Sequence, residues 1–204
     1  LKTLAIILLI SCNYVFGQDT ILPFPVVDKL MKRDFPTNSM EDGRWVYLSN
    51  TAGIKQIDKP IVQQVIPKYA FYEMQLTNFL GYHINKSNCL VLIDTIKSKT
   101  FLVVPMWYSG ASKDFLKLFI GKQFADSAAL MQFTIALQEL MLTGSSGELE
   151  APVYTADKIS FDHTYEYGSH NKQVWRHIEI IIVENKIKRF TFTNPATNET
   201  ITVR

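Results

Sequence analysis

Hydrophobic and polar residues alternate most regularly in the C-terminal quarter of the chain, where a period of two predicts four strands, 159–167, 173–183, 186–193 and 199–203. In the first, Phe161, His163, Tyr165 and Tyr167 share one side, and Asp162, Thr164 and Glu166 the other. In the second, Val174, Ile178, Ile180 and Ile182 oppose Trp175, His177 and Glu179. A one-residue slip would turn a whole row of oily side chains toward water, so matching apolar face to apolar face sets the register. Phe161 then lies opposite Ile178, Tyr165 opposite Val174, Ile180 opposite Phe190 and Ile178 opposite Phe192, with Phe192 beside Ile201 and Phe190 beside Val203. The turns fall at 168–171, 184–186 and 195–198, where Gly, Asn and Pro supply turn chemistry. The expectation is a four-stranded antiparallel meander with one greasy face, and with Trp175, His177 and Glu179 on the wet one.

Upstream, residues 127–142 read as a helix capped by Asp126 or Ser127 and followed by Gly144. Gln132 and Glu139 form its narrow polar stripe. Leu130, Met131, Phe133, Leu137, Leu140 and Met141 cover most of the remainder, so the helix is expected to be buried on two sides, covering the greasy face of the meander. A shorter helix, 112–120, ends at Gly121. Residues 89–95 and 100–108 read as a hairpin around Lys97, Ser98 and Lys99. Residues 68–80 fit both a helical stripe and an alternation, and their aromatic content favours a strand. The fold class is therefore α+β, with antiparallel sheets packed on one long apolar helix and a shorter one.

Composition narrows the class of function. The 204 residues are 47% hydrophobic, 12% aromatic and 20% charged with a net charge of +2, which excludes low-complexity disorder and argues against a nucleic-acid partner. No repeat or long linker divides residues 18–204, so one domain is expected there. Residues 1–17 join Lys2 to an apolar run from Leu4 to Ile10 and end at Gly17, the pattern of a secretory signal peptide cut before Gln18. The run is too short for a transmembrane helix. A second reading stays open, because Leu9-Ile10-Ser11-Cys12 resembles a bacterial lipobox, which implies Cys12 as a lipidated anchor. Both readings place the protein outside the cytoplasm: periplasmic, envelope-associated or extracellular. Cys89, in an apolar run, reads as a small buried hydrophobe.

The chemistry-bearing candidates are few. His163, His170 and His177 are spaced seven apart, and a hairpin centred on His170 would make His163 and His177 cross-strand neighbours with Glu179 beside them. Two His and a carboxylate could hold zinc or a catalytic water, as in a metal-assisted exported hydrolase. That register mixes charged and apolar side chains on both faces, so the hydrophobic register is preferred and no metal or cofactor is expected. Trp175, Tyr165 and Tyr167 are the candidate contacts for a protein or glycan partner, Trp175 because the register exposes it. Asp94, at a strand end, reads as a turn residue rather than a base. The sequence holds no phosphate-binding Gly loop, His-Glu-x-x-His helix or Cys-x-x-Cys pair. The leading expectation is a non-catalytic binding or structural role.

Overall fold

The computed structural model describes residues 54–76, 87–103, 110–143, 147–167 and 171–204, together with positions 25, 26, 29, 30, 33, 40, 41, 44 and 45. Strands β1 (Met40–Glu41) and β2 (Arg44–Trp45) form a small antiparallel pair. A four-stranded antiparallel sheet follows in the order β3 (Ile54–Ile57), β4 (Tyr69–Leu76), β5 (Ser87–Asp94) and β6 (Lys99–Val103). Helix α1 (Pro60–Val65) interrupts its first connection, with proline in the first turn, where a missing N–H costs nothing. The ambiguous segment around Tyr72 is thus a strand. Strand β5 is buried on both faces, since Leu90, Val91, Leu92 and Ile93 are all shielded from solvent. Such a strand reads as a continuous apolar run instead of an alternation.

Helix α2 (Gly110–Lys117) ends in a turn that reaches Gly121, whose φ of +78° suits a residue without Cβ. Helix α3 (Ser127–Leu142) begins where expected. The Asp126 side chain accepts a hydrogen bond from the Ala129 N–H at 2.8 Å, satisfying one of the donors that every helix start leaves open. We expect Asp126→Ala to lower the unfolding free energy by about 1 kcal/mol, measured by urea denaturation. Leu130, Phe133, Leu137, Leu140 and Met141 of α3 are buried, while Gln132, Ile135, Glu139 and Leu142 line the exposed side.

The six-stranded sheet is entirely antiparallel. Its main path runs β12 (Thr200–Val203), β11 (Lys186–Thr193), β10 (Asn171–Val183), β9 (Lys158–Tyr167), β7 (Glu148–Leu149), and β8 (Val153–Tyr154) also pairs with β9. Four of these strands are the expected meander; β7 and β8 extend it along the outer edge of β9. The pairs Phe161–Ile178, Ile180–Phe190, Ile178–Phe192, Phe192–Ile201 and Phe190–Val203 all form as the apolar pattern requires. The β10–β11 connection is tighter than expected, because Val183 pairs with Lys186. Glu184 and Asn185 form a two-residue turn with φ of +53° and +56°, the backbone of a type I′ hairpin. The α2–α3 connection clasps this turn: the Phe124 N–H donates to the Asn185 carbonyl, and the Gln123 side-chain amide donates to the Glu184 carbonyl.

Most of the buried apolar residues form one continuous cluster, with Tyr72, Val91 and Ile93 buried outside it. Phe71, Leu90 and Leu92 enter it from the four-stranded sheet, Phe115 and Phe119 from α2 and the turn after it, Phe133 and Leu137 from α3, and Phe161, Ile178, Phe190 and Phe192 from the meander. Helix and sheet thus share the core that the greasy stripe of α3 anticipates.

Candidate functional site

Register positions the candidate side chains. From Ile181 back to Arg176, β10 follows β9 with the expected alternation: Ile180 faces Ile159, Ile178 faces Phe161 and His177 faces Asp162. Arg176 still pairs with His163 in this register; the ladder then slips by one residue, so that Val174 pairs with Thr164 and Gln173 with Tyr165, leaving Trp175 as the extra residue of a β-bulge. The expected pairing of Tyr165 with Val174 is therefore corrected to Tyr165 with Gln173. A strict alternation would leave the Trp175 indole in water beside His177. The bulge instead rotates it onto the row that begins at Phe161, where its ring lies 5.2 Å from His163 and 6.4 Å, edge-on, from Tyr165. The Arg176 guanidinium sits 5.9 Å from the same ring, and the Tyr165 hydroxyl donates to Gln173 at 3.1 Å. Trp175, Tyr165 and Arg176 are each half-buried. The side chain of Tyr167, the third aromatic candidate, lies outside the described residues.

The opposite, wet face of the same strands carries a polar row. Asp162 Oδ1 lies 2.6 Å from His177 Nδ1, and Glu179 Oε1 lies 3.8 Å from His177 Nε2. The Lys158 ammonium donates to Glu179 at 2.6 Å. That hydrogen bond outweighs burial and, with the Lys158 and His177 charges, holds the Glu179 carboxyl below its ordinary value; it also raises the Lys158 ammonium.

His163 is not part of this row. It is buried on the other face, 2% exposed, between the Trp175 ring and the edge strand at Gly147. The grouping of His163, His177 and Glu179 that a His170-centred hairpin would make is accordingly corrected to Asp162, His177 and Glu179. The cause is hydrophobic: the pairing that buries Phe161 against Ile178 turns consecutive residues to opposite faces. Among the described residues, no group of three or more His, Cys, Asp or Glu side chains is arranged to hold a metal ion. Residues 1–17, Cys12 and His170 lie outside the described residues.

Asp94 closes the β5–β6 turn, as its position at a strand end suggests. It accepts the backbone N–H of Ile96 at 3.1 Å and of Lys97 at 2.8 Å, with the Lys68 ammonium 3.5 Å away. Burial pushes its carboxyl up, but the Lys97 N–H, the Lys68 charge and the Ile96 N–H together leave it below the ordinary value. Asp94 and Glu179 thus share one linkage: a folded-state value below the unfolded one adds stability that is present above the unfolded value and drains as pH falls through the folded one. We expect the urea midpoint to drop between pH 7 and pH 3, and to drop less steeply in Asp94→Asn.

Asp162 and Arg176 escape a search for His and aromatic candidates. The hydrophobic register alone finds Asp162, because pairing Phe161 with Ile178 places Asp162 across from His177. Comparison with known proteins adds no second source of identity. No family model, curated protein or solved structure matches the chain. Among the described residues, no helix is long and apolar enough to cross a membrane.

Proposed function

We propose that this chain is an exported, non-catalytic binding protein of the cell envelope or extracellular space, which meets a protein partner through Trp175, Tyr165 and Arg176. The bulge at Trp175 carries the reading. An inserted residue costs ladder hydrogen bonds, and here it brings together, half-exposed, the three residue types that dominate binding hot spots. A protein partner is favoured over a glycan because a sugar ring needs an open aromatic face, whereas the Trp175 indole already has His163 and Arg176 against it. Export is supported by the pattern of residues 1–17, and lipidation at Cys12 is its variant. The intact mass of the protein from its own host separates cleavage before Gln18 from a lipidated Cys12.

A photo-crosslinking residue placed at position 175 in the native host tests the contact. A discrete adduct formed from position 175 and not from the exposed position 188, and lost in Tyr165→Ala, is the expected result. Equal labelling from both positions contradicts the proposal.

The Asp162–His177 pair favours a second reading, an exported hydrolase in which Asp162 orients the His177 imidazole. Hydrolysis of a substrate panel that is abolished by His177→Ala and unaffected by Trp175→Ala would select it.

A further inference from the structure

Strands β5 and β6 meet in a turn, residues 95–98, with an oily apex and basic shoulders. Ile96 is 78% exposed there, more than any other large apolar side chain among the described residues. Lys97 and Lys99 are exposed beside it, and among the described residues neither pairs with an acid. Two further cations stand at the same turn: the Lys68 ammonium lies 3.5 Å from Asp94, and the Arg33 guanidinium donates to the Ser98 carbonyl at 2.6 Å. Asp94, the acid of the turn, is tucked inward with its side chain 9% exposed, so the outer surface presents positive charge.

The backbone of this turn asks little of water. The Thr95 N–H donates to the Lys68 carbonyl at 2.9 Å, and the Ile96 and Lys97 N–H groups donate to Asp94 Oδ1 at 3.1 and 2.8 Å. Ser98 completes the reversal with φ of +48°, and Arg33 takes its carbonyl. Unbonded N–H groups are what bar most loops from a low-dielectric phase. Here three consecutive donors are already bonded, and they hold one branched apolar side chain outward on a frame that can shed its water.

We propose that the 95–98 turn is a membrane-surface contact: Ile96 enters the boundary between headgroups and acyl chains of an anionic phospholipid bilayer, and Lys97, Lys99, Lys68 and Arg33 meet the phosphates around it. Apex and shoulders together select this occupant. Such a bilayer offers negative charge at its surface and hydrocarbon just beneath it. A soluble polyanion offers only the charge and gains nothing from Ile96. The contact lies on the four-stranded sheet and does not rest on the Trp175 cluster. One apolar side chain and four cations give reversible binding, which orients the protein on a leaflet without anchoring it.

Co-sedimentation with vesicles of phosphatidylglycerol and phosphatidylcholine in equal parts, compared with phosphatidylcholine alone, tests the contact. Preference for the anionic vesicles is expected. Binding should weaken about 25-fold in Lys97→Ala/Lys99→Ala, roughly fivefold per lysine, and about tenfold in Ile96→Ser. In a background with both native cysteines replaced by serine, an environment-sensitive fluorophore at position 96 should shift to the blue on the anionic vesicles, and one at exposed position 188 should not. Circular dichroism confirms that each variant is folded. Equal binding to both vesicle types, Ile96→Ser binding equal to wild type, or no blue shift at position 96 would each overturn the proposal. Binding to heparin without binding to vesicles would overturn it in favour of a soluble polyanion.

Discussion

Phe133→Ala should lower the unfolding free energy by about 3–5 kcal/mol. Phe133 is fully buried in α3 and stands where the elements meet. Its ring lies 5.1 Å from Phe119, which follows α2, and 4.9 Å from Phe124, in the connection that clasps the β10–β11 turn. Phe119 in turn meets Phe115 edge-on at 5.1 Å. Removing the central ring deletes the transfer free energy of a buried aromatic and leaves a cavity walled by rings that cannot collapse into it while the helix and sheet hold them apart. Gln132→Ala, one residue earlier on the exposed side of the same helix, should change stability by less than about 0.5 kcal/mol. Urea unfolding followed by circular dichroism checks both, and a loss at Phe133 no larger than that at Gln132 would contradict the packing.

Gly147→Ala should be nearly as damaging, although Gly147 is exposed. Its φ is +114°, a conformation nearly closed to side-chain-bearing residues, and an added Cβ would come within 2.3 Å of the Thr164 carbonyl oxygen and 3.0 Å of His163 Nε2. The obstruction is largely backbone, so the edge must move. Glu148 and Leu149, paired with Thr164 and His163, would be levered away from β9, and the Lys172 bridges to Glu148 and Glu150 would strain with them. A loss of about 3 kcal/mol is expected, the upper end of the range for an imposed backbone conformation. Amide hydrogen exchange gives the signature: Glu150, whose N–H donates to the Asp162 carbonyl, should lose protection, while Phe190 and Phe192 in the meander keep theirs. Uniform loss across the sheet would point to a different cause.

Much of this fold is legible because one physical rule governs it. The meander strands are each buried on one side, so Ile178, Ile180, Phe190 and Phe192 report their own register. The cap at Asp126 and the left-handed Asn198, with φ of +57°, are equally local and equally readable. Other features are decided by non-local packing. Strand β5 shows no alternation because both of its faces are buried. Strands β7 and β8 are two residues each, too short for any periodicity, and exist because β9 offers them an edge. The Trp175 bulge is invisible to a strict period of two: it arises because an indole gains more by joining Tyr165 and His163 than the ladder loses by slipping. The candidate site divides along the same line. Its polar row was reachable once Phe161 was set against Ile178, whereas its aromatic cluster required the bulge.

Oxidative trapping tests the register directly. In a background with both native cysteines replaced by serine, Asp162→Cys/His177→Cys is compared with His163→Cys/His177→Cys, and disulfide formation is read by mass spectrometry. Directly opposed cross-strand residues can bridge, while residues facing opposite sides of a sheet cannot. Rapid oxidation of the 162/177 pair and none of the 163/177 pair is the expected result. The reverse result would place the two histidines side by side and undo both the bulge and the polar row of Asp162, His177 and Glu179.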